Sequence, residues 1–405
     1  MSIRQKGGSM NRNIGHIGHI GLISLIGLIG LIGPIALISS CTPEPPLHLY
    51  EAPDLEVEVS VVDLNVEGYW QTLLDLNTKF DLETKWYYGW DDMDVRTFGE
   101  IGYTIPNVFH VRRYFTGDVP YAPHTGVVQD TIEGHHYQGF FDFGYWDMLL
   151  WNKIKTRDGV QNIIIDESAS LDSVIAYTNQ TMHTSRYNAP KYTHSFNEPE
   201  VLFAVYEQAI EINKDLEGFV YDEERDVWVR TLQLVLRPVT FIYLTQVILH
   251  NNKGRISSVD GNADLSGMAR STNLNTGCAG SDAITVYFNV LMKKDCDMNG
   301  EKVDIIGGRL LSFGIPGIEA NGLSRAGDVE DDHRHYMDFT MQFNNGMDST
   351  FVFDVTNQIR KNYRGGIITI ELDVDTIPIP SRSGGSGFDA VVKDTEDGGT
   401  YEFEM

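Results

Sequence analysis

The segment Ile368-Thr369-Ile370-Glu371-Leu372-Asp373-Val374 alternates apolar and polar residues without a break. Successive side chains on a strand point to opposite faces, so Ile368, Ile370, Leu372 and Val374 share one face. A helix would split those four residues between opposite sides, so the segment predicts a half-buried strand. The same pattern runs upstream through Phe351, Phe353 and Val355, and through Met337, Phe339, Met341 and Phe343. It recurs in Ile284, Val286, Phe288, Val290 and Met292, and in Leu232, Leu234 and Leu236 before Pro238 interrupts it. Residues 239–249 are nearly all apolar, as expected of a strand covered on both faces. Near the N-terminus Leu55-Glu-Val-Glu-Val-Ser-Val61 alternates strictly. Val62, Leu64 and Val66 then continue in the opposite phase, which marks a bulge or bend.

Turn chemistry separates these runs at Asn252-Lys253-Gly254, Asp260-Gly261-Asn262 and Asn344-Asn345-Gly346. Few segments argue for helix. In 199–214, Tyr206, Ala209, Ile210 and Asn213 have helical spacing while Val201, Phe203 and Val205 alternate, so both readings stand there. Short strands joined by turns predict an all-β chain of antiparallel sandwiches. The cluster of Pro190, Asn197 and Pro199 places a domain boundary near 195/196. This divides the folded part into 55–195 and 196–388, with a loose Gly-rich and acidic tail at 389–405.

The chain has 405 residues and a formal net charge of −26. A surface this acidic repels phosphate backbones, so a nucleic-acid partner is not expected. Arg4, Lys6 and Arg12 precede a run of Gly/Ser–X–Ile triplets (15–35), and Leu37-Ile38-Ser39-Ser40 leads into Cys41. A basic start, an apolar middle and small residues before a cut describe a secretory signal over residues 1–40. Its removal takes away three basic residues and no acid, which moves the net charge from −26 to −29. A permanent transmembrane helix is the other reading of 20–38, about 28 Å long at helical rise. Four glycines and Pro34 make a poor helix of it, and no basic stop-transfer cluster comes after it. The small residues followed by Cys41 resemble the lipobox of bacterial lipoproteins, which implies that Cys41 carries the lipid. Pro43, Pro45, Pro46 and Pro53 then make 41–54 an extended tether.

Several further segments occur in a recognisable order. They are Tyr145-Trp-Asp-Met-Leu-Leu-Trp-Asn152, Leu236-Arg-Pro-Val-Thr-Phe-Ile-Tyr243, Asp264-Leu-Ser-Gly-Met-Ala269, Phe351-Val-Phe-Asp-Val-Thr-Asn357, Ile377-Pro-Ile-Pro380 and Gly387-Phe388-Asp389. In this order and spacing the chain resembles a domain-of-unknown-function family of Bacteroidales lipoproteins, similar to the fimbrillin-like and fimbrial anchor proteins. The resemblance spans about Cys41 to Val392. It implies two transthyretin-like (Greek-key) β-sandwiches in tandem, attachment to the outer membrane through the lipid, and exposure on the cell surface rather than the periplasmic face. It further implies a non-enzymatic, structural role at fimbriae, with fimbrial subunits as partners and no cofactor beyond the lipid. In the fimbrillins an arginine-specific protease cuts after the first strand, and a strand of the next subunit fills the groove. In this sequence the first arginine after Cys41 is Arg96, and only Lys79 and Lys85 are basic at Lys or Arg positions before it. A cut at Arg96 would remove far more than one strand, so the first strand is expected to stay in its sheet.

The usual enzyme signatures (GxSxG, HExxH, CxxC, a P-loop, GxGxxG) are missing. Three constellations remain as sites. Asp331, His333 and His335 have strand spacing for ligands of a tetrahedral metal, against a charged loop as the plainer reading. A secreted metal-dependent hydrolase would gather these residues in a cleft. Asp295, Asp297 and Asn299 followed by Gly300 match the first half of a calcium loop, but Ile306 stands where the twelfth-position Glu belongs; a hairpin closed by Asn-Gly is the alternative. Trp86, Tyr88 and Trp90 beside Asp91, Asp92 and Asp94 have the chemistry of a glycan platform, rings for CH faces and carboxylates for hydroxyls. The alternative is that the rings fill a core. Cys278 and Cys296 close a short loop and are either a disulfide or two free thiols.

Overall fold

Each alternating stripe from Leu232 onward lies on or at the end of a strand with its apolar face buried. The structure is a computed structural model. It describes residues 54–60, 85–317 (apart from 105, 135, 157–158, 171–172, 185–193 and 225–226), 334–380 and 390–392. The chain is nearly all β. Strands are numbered in chain order. One sheet runs β11 (Val220–Asp222), β12 (Val227–Val235), β1 (Asp54–Ser60), β4 (His136–Phe140). A second runs β13 (Arg237–Pro238), β10 (Phe203–Ile212), β5 (Gly144–Asn152), β2 (Val108–Gly117), β3 (Gly126–Glu133). Their facing side chains form one core, with Tyr137 and Leu234 from the first sheet meeting Phe109, Trp146, Met148, Leu150 and Ile212 from the second. The other face of the second sheet is covered as well. There Tyr114, Leu149 and Trp151 pack with Ile163, Val174 and Ala176 of a small sheet formed by β6 (Ile163–Ser170), β7 (Ser173–Thr178) and β16 (Ser271–Asn273). Double coverage explains why β5 carries apolar side chains on both faces, with Asp147 as its one acid.

The second half of the chain builds one long strand order: β21 (Gly366–Asp373), β14 (Phe241–His250), β18 (Glu301–Ser312), β17 (Ala283–Met298), β15 (Ile256–Ala269), β19 (Tyr336–Phe343), β20 (Asp348–Asp354), β22 (Ala390–Val392). β8 (Gln180–Thr184) pairs with β9 (His194–Asn197), which joins β17 in parallel. β17 pairs with β15 through residues 283–289 and with β18 through 290–298, so it passes from one half of this sheet to the other. The halves close on a shared core in which Val247, Ile306 and Ile370 meet Phe339, Met341 and Phe351. β14 has a second buried face, where Ile242, Leu244 and Ile248 join another cluster. This is the two-sided burial expected of residues 239–249.

Four local findings differ from expectation or resolve it. Residues 203–212 are a strand, and the helical spacing there belongs to a bulge between Glu207 and Ile210, with Ala209 at φ +55°. Asp260-Gly261-Asn262 is no turn. It is a register shift inside the fourteen-residue β15, because pairing with both neighbours overrides local turn preference. Two short helices, α1 (Asp92–Phe98) and α2 (Thr356–Lys361), carry no long apolar period to announce them. β10 and β12 hydrogen-bond to β5 and β1, which precede residue 195, and carry β13 and β11 with them, although the expected boundary at 195/196 would assign all four to the second domain. Residues 61–66 lie outside the described residues, as do 1–53 (the signal and all of the tether but its last residue), 389 and 393–405; within the expected loose tail, residues 390–392 form β22, paired in parallel with β20. Among the described residues no helix is long and apolar enough to cross a membrane.

Candidate functional site

The aromatic segment 86–90 does not present the exposed stripe a glycan platform needs. Trp86 and Tyr88 are 8% and 2% exposed, and Trp90 packs against the same cluster over the outer face of β14 and β18. Gly307 on β18 makes room for this: a Cβ there would run into the Tyr88 ring. Trp86 Nε1 donates to the Gly89 carbonyl at 3.0 Å, and Trp86 lies 5.6 Å from Tyr88 and 6.5 Å from Trp90, ring to ring. The acids beside the rings are structural too. Asp91 caps α1 and forms a reciprocal box with Asp94. The fully buried Asp94 accepts from the Tyr88 hydroxyl at 2.9 Å and from Lys293, whose ammonium also reaches Asp91 at 2.8 Å and sits 4.3 Å above the Tyr88 ring. Burial and the Asp94 carboxylate push the Tyr88 phenol well above its ordinary value, and the hydrogen bond from Lys293 lowers Asp91. The cluster fastens α1 to β17.

The Asp295–Asn299 loop is a hairpin turn. Met298 pairs with Glu301, and Asn299 and Gly300 stand between them at φ +55° and +91°, as a two-residue hairpin requires. The loop is bonded within itself and to Asp304. Asp297 accepts from the Gly300 amide at 3.0 Å and lies 3.3 Å from Lys302 Nζ, while the Asp295 amide donates to Asp304 at 3.0 Å. Asp331 and His333 lie outside the described residues. His335 is fully buried; its amide donates to Thr356 and its carbonyl accepts from Val355, which places it in the core rather than on a cleft. Among the described residues no three His, Cys, Asp or Glu side chains are grouped to hold a metal. Cys278 and Cys296 are free thiols in different surroundings. Cys278 sits in the turn after β16, and Cys296 packs against the Trp86 cluster, where burial raises its thiol pKa. Cys41 lies outside the described residues.

The site that sequence reading missed is a cavity of about 570 Å³ between β10 and β12, lined by Glu207, Glu211, Glu217, Arg230, Leu232 and Leu234 among others. Strand alternation builds it. Residues 228, 230, 232 and 234 of β12 share one face, and Leu234 at the inner end belongs to the sandwich core. Toward the open end that same face presents Arg230 and then Trp228. Tyr221, opposite Trp228 in the β11–β12 hairpin, stands 5.3 Å from it ring to ring, and the two are 43% and 42% exposed. The bulge in β10 forms the other wall. Asp147 of β5 takes the Ala209 amide at 2.8 Å, and Arg230 donates to the Glu211 carbonyl at 2.7 Å. A signal was present: Tyr221-Asp222-Glu223-Glu224 followed by Trp228 has the same mixture of rings and acids as residues 86–94. Only strand pairing separates the exposed set from the buried one.

No family model matches the chain, and no curated protein matches it. Among solved structures it is similar to a candidate adhesin from Bacteroides ovatus, with 13% identity and a TM-score of 0.44 over 82% of this chain and 94% of that one. It is similar to the fimbrial anchor protein Mfa2 from Porphyromonas gingivalis, with 11% identity and a TM-score of 0.36 over 74% and 87%. It is also similar to a candidate cell adhesion protein from Bacteroides eggerthii, with 12% identity and a TM-score of 0.36 over 80% and 88%.

Proposed function

We propose that the chain is a non-enzymatic surface lipoprotein, held in the outer membrane through Cys41, with a structural role at fimbriae as an anchor or accessory subunit. The observation that carries this reading is the position of the first strand. β1 pairs in parallel with β12 from Asp54↔Val229 to Ser60↔Val235, and antiparallel with β4 from Asp54↔Phe140 to Glu58↔His136. It is an interior strand of its sheet, with backbone hydrogen bonds on both sides. Removing it would expose two rows of unpaired backbone groups at once. With no arginine between Cys41 and Arg96, an arginine-specific cut has no place to release β1 alone. A strand that stays keeps the lipid attached, and a tethered subunit serves at the membrane end of a fibre rather than within it.

The test is the mature N-terminus of protein extracted from its native cell surface. A blocked, acylated Cys41 is expected, and Cys41→Ser should release the chain or stop its maturation. An unblocked N-terminus between residues 67 and 97, with ladders in mild SDS, would show a polymerising pilin instead.

A further inference from the structure

We propose that the groove between β10 and β12 binds a neutral carbohydrate. A sugar offers an apolar CH face and a rim of hydroxyls, and the groove offers a partner to each. Tyr221 and Trp228 form an exposed ring pair on the face that leads into the cavity, where ring faces can take CH groups. Within it Glu207, Asn213 and Glu217 supply carboxylate and amide groups, and Leu232 with Leu234 make an apolar floor, while Glu211 lines it with its backbone and bonds Tyr145 through its side chain. Carboxylates accept from hydroxyls and amides both donate and accept, which suits a polyol. About 570 Å³ is the size of a small-ligand site.

Two features select this ligand over others. An extended peptide adding to the edge of β10 would need a regular ladder. The bulge between Glu207 and Ile210 breaks that ladder, and the Ala209 amide and Glu211 carbonyl are already bonded to Asp147 and Arg230. Two carboxylates, Glu207 and Glu217, line the groove against one guanidinium, which repels sialylated and uronic-acid sugars. The lining thus specifies an uncharged glycan. This inference rests on the groove alone and does not depend on the lipid or on any fimbrial role.

The experiment is an array of neutral and acidic oligosaccharides probed with the purified full-length chain, followed by titration of bound sugars with tryptophan fluorescence as the readout. Binding to neutral sugars is expected, with Trp228→Ala and Tyr221→Ala each weakening it by about tenfold or more. Glu207→Gln, which keeps shape and fold, should weaken it too. All variants should retain the wild-type far-ultraviolet circular dichroism spectrum and melting curve, since these side chains are exposed. Failure of every neutral sugar to bind, binding confined to acidic sugars, wild-type affinity in both Trp228→Ala and Glu207→Gln, or displacement of the sugar by unrelated extended peptides would each overturn the proposal.

Discussion

Asp147 is a carboxylate in the middle of an apolar strand, 1% exposed, and three groups converge on it. His124 Nε2 lies 2.8 Å from Oδ2, the Tyr206 hydroxyl donates to the same oxygen at 2.9 Å, and the Ala209 amide donates to Oδ1 at 2.8 Å. Tyr114 stacks on His124 at 4.4 Å between ring centroids, which closes the cluster against the small sheet. The Ala209 bond holds a residue at positive φ, so Asp147 sets the shape of the bulge that walls the groove. Removing it strips an acceptor from all three groups in a dry site. Asp147→Ala should cost about 3–5 kcal/mol in urea unfolding, and Asp147→Asn, which keeps one carbonyl oxygen, distinctly less. Equal stability of Asp147→Ala and wild type would show that the cluster carries no such burden. The carboxylate is visible in the sequence as a lone acid between Trp146 and Met148. Its partners are not, because they come from β3's approach loop and β10.

At the scale of elements, the aromatic segment and α1 are held to β18 by the absence of one side chain. The Tyr88 ring occupies the space a Cβ would need at Gly307, with Ile248 and Ile305 around it. Gly307→Ala should therefore cost about 1–3 kcal/mol through overpacking. It should also shift the tryptophan emission, because Trp86 and Trp90 move with the segment. Gly300 provides the contrast. Nothing lies within 4 Å of a Cβ there, but its φ is +91°, so Gly300→Ala should cost about 1 kcal/mol through the backbone alone and leave the emission unchanged. Thermal melts of the two variants, read together with fluorescence, separate the two mechanisms. An emission change in Gly300→Ala, or none in Gly307→Ala, would contradict the assignment of Tyr88 to that site.

For the whole molecule, buried phenols set the alkaline limit. Burial is the main reason that Tyr88, Tyr137 and Tyr243 have folded pKa values raised well above the ordinary value of 10.0. Below pH 10 both folded and unfolded chains keep these protons, and their contribution is fully present. Above it the unfolded chain ionises first and the folded one does not, so stability falls as pH rises. Each phenol removes about 1.4 kcal/mol per pH unit there, and the three together about 4. Unfolding at high pH should be cooperative, with tyrosinate absorbance rising together with loss of β circular dichroism, and Tyr243→Phe should make the decline shallower by one proton. Tyrosinate formation well ahead of unfolding would show that these rings are accessible.

What the sequence determined by itself was the all-β class and the inward face of β12, β17, β19, β20 and β21, since alternation is local and each stripe needs only its own residues to be read. It also determined the Asn299-Gly300 hairpin, because that turn imposes its backbone geometry through two adjacent residues. Residues 203–212 show where local reading stops: their spacing supports helix and strand alike, and pairing with β5 decides for the strand. The fate of aromatic residues is likewise tertiary. Trp86 with Tyr88 and Tyr221 with Trp228 sit in similar company along the chain, yet β14 and β18 bury the first pair while the open end of a sandwich leaves the second exposed. Burial depends on which surface arrives opposite a side chain, and that surface comes from residues a hundred or more positions away, as Gln246 and Gly307 do for residues 85–88.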